Sequence, residues 1–272
     1  MKNKDRSRIV SRQENKPELN IMKKTSKLIN FGRDRNLVGL FYVILSFLIA
    51  SVSVGINVVV LPAILIENDV NSLLIGFTVT AETIFGFLCA ILISRIVAKF
   101  GAMRSVAFMT ISYALLTYYI FYYQNYLVWL ILQSLIGGCW VFLYVVRQAW
   151  VNNLVSDKNR SIIIALITTI FCSGFVVGSL IVKVFGALNH TCLLISAILI
   201  FTSGMMLMLI KDTFPHALDS GHVKFKELIQ KLPNESLARF LLDFQAGCLI
   251  FLGVVFGVRV GFSAENSGLL IA

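Results

Sequence analysis

Leu37-Val-Gly-Leu-Phe-Tyr-Val-Ile-Leu-Ser-Phe-Leu-Ile-Ala-Ser-Val-Ser-Val-Gly-Ile-Asn-Val-Val-Val-Leu-Pro-Ala-Ile-Leu-Ile66 runs without one Asp, Glu, Lys or Arg. A helix rises about 1.5 Å per residue, so roughly 20 apolar residues cross the ~30 Å hydrocarbon core of a bilayer. This run is long enough to do so. Working outward, comparable runs lie near residues 73–97, 103–123, 127–151, 161–182, 186–211 and 240–258, which makes seven spans. Ser267-Gly-Leu-Leu-Ile-Ala272 reads as the opening of an eighth that the chain leaves unfinished. The composition agrees, since 57% hydrophobic and 14% charged residues, with a mean hydropathy of +0.83, are too apolar for a water-soluble domain. The expected fold is all-α, and much of its surface faces lipid.

Charge orients the spans. Residues 1–36 hold eleven Lys or Arg against four acids, and basic segments stay on the cytoplasmic side. With the N-terminus inside, the cytoplasmic segments also collect Arg95, Lys99, Arg104, Arg147, Lys158, Arg160, Lys211, Lys224, Lys226, Lys231 and Arg239, leaving only Lys183 and Arg259 outside. That is 22 of 24 basic residues on one side. The charges alternate between loops and do not gather on one soluble module, so membrane orientation explains them better than nucleic-acid binding. Ile21, Leu28, Ile29 and Phe31, interleaved with Lys23, Lys24 and Lys27, suit either a tail lying on an anionic leaflet or a solvated one.

Several classes are excluded. The first apolar stretch starts after 36 residues and is too long for a cleavable signal, so it stays as a helix. Cys89, Cys139, Cys172, Cys192 and Cys248 all fall in spans and read as small buried residues, while His190, His216 and His222 sit in loops without metal-ligand spacing. No P-loop, dinucleotide fingerprint or HExxH occurs. Neither an enzyme nor an ATP-driven pump is expected, and no cofactor or metal.

The order of segments is a basic tail (1–36), six spans (37–211), a hydrophilic stretch (212–239) and a further span with the start of another (240–272). The hydrophilic stretch carries Pro215 and Pro233 around a short amphipathic segment, Val223–Lys231. Between spans two and three lies Ser94-Arg-Ile-Val-Ala-Lys-Phe-Gly-Ala-Met-Arg104. Both features resemble the major facilitator superfamily, whose members join two six-helix bundles through a long cytoplasmic loop. In its loop signature, Gly-x-x-x-Asp-Arg-x-Gly-Arg-Arg/Lys, the basic and turn-forming positions are matched here by Arg95, Lys99, Gly101 and Arg104. Ser94 and Ala98 replace its Gly and Asp, so the charge relay attributed to that Asp does not carry over. Arg147-Gln-Ala-Trp-Val-Asn-Asn-Leu-Val-Ser-Asp-Lys-Asn-Arg160 is similar to a Trp-x-Asn stretch in a bacterial branch of the superfamily. Gln133 stands where the family has an Arg, and Gly174-x-x-x-Gly178 is what remains of its antiporter signature. The resemblance implies a six-helix bundle with an incomplete second bundle.

Polar groups inside hydrocarbon point to the working surface, because a central charge costs about 2.5–3.5 kcal/mol on insertion scales. Glu82 lies nine residues into span two, roughly 14 Å deep, and Asn57 lies at matching depth in span one. Thr78, Glu82, Gly86 and Cys89 share one helix face, and Ser46, Ala50, Ser53 and Asn57 share another. Glu82 suits a proton or cation site with Asn57 as hydrogen-bond partner; a carboxyl that only glues helices together is the other reading. In span four, Gln133, Gly137, Trp140, Tyr144 and Arg147 recur at helical spacing on one stripe. Since the superfamily's fourth helix contributes to the central cavity, this stripe is expected to contact substrate. Arg147 is also near enough to the cytoplasmic end to snorkel to water. Gly174 and Gly178 form a small-xxx-small pattern suited to close helix packing. Thr168 and Thr169 are expected to bond back to their own helix, and Pro62 to bend span one or mark its last turn.

These features describe a secondary-transporter-type protein of the cytoplasmic (inner) membrane, acting on a small solute and inactive without helices from a second polypeptide or a second copy. A non-transporting assembly partner or a degenerate remnant is the alternative class. The orientation is testable by cysteine-accessibility labelling. A cysteine at residue 188 should react with an impermeant reagent in intact cells, and one at residue 220 only after permeabilisation; the reverse would overturn the map.

Overall fold

The computed structural model describes residues 37–123, 125–155, 159–210 and 252–271, with residues 234, 237, 241, 245 and 249. The expectations for the basic tail, for most of the 212–239 stretch and for most of span seven lie outside the described residues.

Among the described residues, six helices are long and apolar enough to cross a membrane: α1 (Leu37–Glu67), α2 (Ser72–Phe100), α3 (Ala102–Tyr119, continued by a 3-10 turn at Ile120–Tyr122), α4 (Tyr126–Leu154), α5 (Arg160–Phe185) and α6 (His190–Met208). Two short helices follow, α7 (Gly253–Arg259) and α8 (Ala264–Ile271). No strand occurs among the described residues. Helices are the expected solution, because in hydrocarbon each backbone N–H and C=O must be bonded within its own segment.

The turns follow from local chemistry. α2, α4 and α6 each begin behind an asparagine, and the Oδ1 atoms of Asn71, Asn125 and Asn189 accept from the N–H groups of Leu73, Leu127 and Thr191 at 3.2, 2.9 and 2.9 Å. Each cap satisfies one amide that the first helical turn leaves free. The three caps lie at the same end of the bundle. At the opposite end α2 passes into α3 through Gly101 alone, whose φ of 81° is open to glycine and costly for other residues. This is the physical content of the glycine in the loop signature. Arg95, Lys99 and Arg104 around it are exposed. The run expected from residue 186 becomes helical only at His190, because Gly186 has φ 87° and ends α5. His190 therefore starts a helix instead of sitting in a loop, packed against the rings of Tyr118, Phe121 and Tyr122.

α1 is the most thoroughly buried of the six, and α2 and α5 the least. It is tied to α6 by hydroxyls: Ser46 Oγ donates to the Ser203 carbonyl (3.0 Å) while Ser203 Oγ donates to the Ser46 carbonyl (2.9 Å). Two turns on, Ser53 Oγ and Ser196 Oγ lie 2.8 Å apart. On another face α1 meets α5 backbone to backbone. A Cβ on Gly178 would stand 2.7 Å from the carbonyl carbon of Gly55, and one on Gly174 would overlap the Ser51 side chain. The expected close packing at this pair is thus directed at α1. α4 lies equally close to α2, since a Cβ on Gly137 would meet the Glu82 carbonyl oxygen at 2.6 Å. Pro62 lies within α1, which continues to Glu67. Thr168 and Thr169 do bond back, to the carbonyls of Ile164 and Ala165.

Apolar packing divides into two clusters. Ile56, Val60, Ile64, Ile75, Trp129, Ile136, Leu193 and Ile200 fill the end bearing the asparagine caps. Val43, Phe47, Ile93, Phe142, Leu143, Val146, Trp150 and Leu207 fill the other. Cys139 and Cys192 are buried, Cys89 is partly covered and all four described cysteines are free, as expected; Cys172 departs from expectation in being exposed. α8 docks on the bundle through Glu265, whose Oε1 accepts from the Ala187 N–H at 3.1 Å. That bond from the α5–α6 turn holds the Glu265 carboxyl below its ordinary range.

The α1–α5 contact makes a stability prediction. Gly174→Ala and Gly178→Ala should each cost about 1–3 kcal/mol through overpacking. Gly76, with nothing within 4 Å of its added Cβ, should tolerate alanine or gain up to about 1 kcal/mol. Unfolding titrations in mixed micelles would check this; equal effects at Gly76 and Gly174 would refute the packing role.

Candidate functional site

Val54, Asn57, Val58, Leu61, Pro62 and Leu65 of α1 face Ile75, Thr78, Val79 and Glu82 of α2 across a cleft of about 640 Å³, its open mouth included. Tyr113 of α3 and Trp129, Gln133, Ile136 and Trp140 of α4 complete the lining. Four of the expected candidates, Asn57, Glu82, Gln133 and Trp140, share this one cleft. Helical periodicity placed Gln133 and Trp140 on one stripe, and matched depth placed Asn57 beside Glu82.

Each polar side chain has a defined partner. Gln133 Nε2 donates to Glu82 Oε2 at 2.7 Å, across the close α2–α4 contact that Gly137 permits. Gln133 Oε1 is buried and without a partner. Asn57 does not pair with Glu82 as expected: its Nδ2 donates to the Tyr113 hydroxyl (3.3 Å), and its Oδ1 accepts from Ser196 Oγ (2.7 Å). The serine ladder between α1 and α6 holds Asn57 in this position, and Ser53 bridges to the same Ser196. The partner of Glu82 therefore comes from its own neighbour helix. Trp140 stacks on Phe171 of α5, with ring centroids 6.1 Å apart and planes at 25°.

The rest of the span-four stripe leaves the cleft. Tyr144 is not part of its lining; it packs edge-on against Phe47 at 6.0 Å and its hydroxyl accepts from Gln148 Nε2 at 3.3 Å. Arg147 does not snorkel. It is 0% exposed, and its Nε and Nη2 donate to Ser46 Oγ (2.9 Å) and Ser203 Oγ (2.5 Å). Its guanidinium carbon lies 5.8 Å from the Phe47 ring centroid. Nη1 has no partner, and no described carboxylate pairs with the charge. The hydroxyl pair on α1 and α6 captures the side chain before it can reach the bundle end. Among the described residues no group of three His, Cys, Asp or Glu is placed to hold a metal ion.

Sequence reasoning passed over Tyr113 and Trp129. Tyr113 is 3% exposed, and Trp129 Nε1 donates to the Tyr123 carbonyl. A polar ring inside an apolar run was the available signal for both.

A sequence model of the Major Facilitator Superfamily matches residues 43–272. The structure is similar to the crystal structure of a nucleoside transporter, NupG (D323A mutant), with a TM-score of 0.65 and 16% identity. The alignment covers 86% of this chain and 63% of that one, so the chain spans less than two thirds of the transporter's length. No curated protein sequence matches the chain.

The Arg147 cluster separates charge from packing. Ser203→Ala removes one acceptor from a buried cation and should cost about 1–3 kcal/mol. Arg147→Met keeps the length, removes the desolvated charge and leaves Ser46 and Ser203 bonded to each other's carbonyls. It should raise stability by about 1–3 kcal/mol. Unfolding midpoints of both variants check the pair, and a loss in Arg147→Met would reveal an acidic partner for this charge.

Proposed function

The chain belongs to the major facilitator superfamily, and from that premise we propose that it forms the first bundle of a secondary transporter for a small solute, with the Glu82 cleft on the solute path. The observation that carries this is the convergence of Asn57, Glu82, Gln133 and Trp140 on one cleft in a bundle of membrane-spanning helices. Buried polar side chains are costly in hydrocarbon and usually mark a path or a coupling site. A cleft lined by an acid, two carboxamides and aromatic rings both orients a solute and offers a group that takes up a proton.

Alternating access rocks one bundle against another about a central site. One bundle therefore does not transport by itself, and the second comes from further helices of a longer chain or from another copy. The basic-residue pattern supports a cytoplasmic N-terminus in an inner membrane. Glu82 serves as the proton or cation site, Gln133 orients it, Asn57 and Trp140 contact the solute, and Tyr144 and Arg147 brace the helix that carries them.

Two measurements test this. Purified 272-residue chain in liposomes, as monodisperse monomer, should give no gradient-driven uptake over a broad solute panel. Robust monomer uptake would refute the need for a second bundle, and activity confined to a dimer fraction would identify a second copy as its source. Wherever uptake is measurable, Glu82→Gln should abolish its dependence on pH; an unchanged pH profile would remove Glu82 from coupling.

A further inference from the structure

We propose that the cleft selects a small organic cation, an ammonium or guanidinium bearing an aromatic or branched apolar body, held by Glu82 and the amide oxygen of Gln133. The proposal rests on the reading of the cleft as a solute path and adds the chemical class of the solute.

Charge and unfilled hydrogen-bond positions in the lining select the class. Of the described lining residues, Glu82 carries the only carboxylate, and no Lys, Arg or His is among them. In its ionised form the carboxylate only accepts, and its bond with Gln133 then holds the amide with Nε2 toward Glu82. The amide oxygen Oε1 is then left as a buried acceptor with no donor among the described residues. Glu82 Oε1 is the second open acceptor, because the Gln133 bond goes to Oε2. The carboxamide of Asn57 is occupied at both ends, by Tyr113 and Ser196, and the Thr78 hydroxyl donates to its own helix at Ile75. The lining thus presents two open acceptors, one of them charged, while its donors, the Tyr113 hydroxyl and the Trp140 indole N–H, are neutral.

An anion entering here meets a carboxylate and only neutral donors. A neutral polyol satisfies the acceptors but leaves the charge uncompensated. A bare metal cation needs more oxygens than the two on offer, since hard cations take six or more. A cation with two or more N–H groups fills both acceptors and neutralises Glu82 in one step. The remaining walls, Trp129, Trp140, Ile136, Val54, Val58, Leu61 and Ile75, are apolar or aromatic and suit a hydrophobic body beside a cation.

The test uses the full chain in detergent micelles at neutral pH, with binding followed by tryptophan fluorescence and by thermal shift. The probes are 2-phenylethylammonium, its neutral analogue 2-phenylethanol and the anion 3-phenylpropanoate, with benzylguanidinium as a second cation. Both cations should bind saturably, and the neutral analogue should bind about tenfold or more weakly, the contrast given by a charged hydrogen bond. The anion should not bind. Glu82→Gln should reduce the cations to the level of 2-phenylethanol, and Gln133→Met should weaken the cations more than it weakens 2-phenylethanol. Equal affinity for cation and neutral analogue overturns the proposal; if Trp140→Ala then abolishes both, the cleft still takes solutes and only the charge class fails. Binding of none of the probes overturns the cation proposal and counts against the cleft as a solute site as well. Sodium chloride displacing the cations at the same ionic strength where choline chloride does not would also overturn it, by identifying a metal-ion site. The charge series on the unaltered chain decides the question even if a variant fails to fold.

Discussion

Hydrocarbon offers no partner to a hydroxyl, an amide or a guanidinium, so a polar side chain inside these helices is costly unless it finds one in the protein. On α1 that requirement is met by a series of two hydrogen-bonded groups. Arg147 donates to Ser46 and Ser203, which are bonded to each other; one helical stretch further, Ser53 meets Ser196, and Ser196 donates to Asn57, which donates to Tyr113. The series fixes the rotation of α1 against α6, and with it which α1 residues turn toward α2 and α4. The cleft is a consequence of that rotation. Were α1 turned by one residue, Asn57 and Pro62 would leave the lining and the serines would lose their partners.

Small residues set the second constraint. Glycine at 55, 174 and 178 lets α5 press on α1, and glycine at 137 lets α4 approach the backbone at Glu82. Dispersion acts only at contact, so helices without a hydrophobic driving force between them gain most where backbones come closest. At α2–α4 this closeness also brings the Gln133 amide within reach of a carboxylate one helix away. Packing and site geometry are the same contact there. Arg147 and Glu82 lie on opposite sides of this arrangement: one is enclosed by hydroxyls in the interior, and the other opens on a cleft with half its carboxylate unbonded.

Much of this was legible in one dimension. The lengths of the apolar runs and the basic tail gave the class of protein, and the 3.6-residue period grouped Gln133 with Trp140 and Ser46 with Ser53 and Asn57. Gly174 and Gly178 were readable as a packing pair, though not as partners of Gly55. Asn57 and Glu82 were read at one depth and line one cleft, yet each bonds elsewhere, because depth fixes height and not which face meets which neighbour. Arg147 was read as a residue able to snorkel; Ser46 and Ser203, 101 and 56 residues away in the chain, capture it instead. Cys172 faces outward for a similar reason, since the α5 face that meets α1 is the one bearing Gly174 and Gly178.

The sequence by itself determined that the chain crosses a membrane repeatedly as helices, where the loop-signature glycine falls, and which side chains share a helical face. These follow from local terms: the transfer free energy of apolar residues, the period of the helix, and the φ that only glycine adopts freely at Gly101. Only the tertiary structure decided that Gln133 bonds Glu82, that Asn57 belongs to Tyr113 and Ser196, and that Tyr113 and Trp129 join the cleft. Those pairings depend on the mutual rotation of helices far apart in the chain, and that rotation is set by the joint satisfaction of buried hydroxyls and glycine contacts on several helices at once.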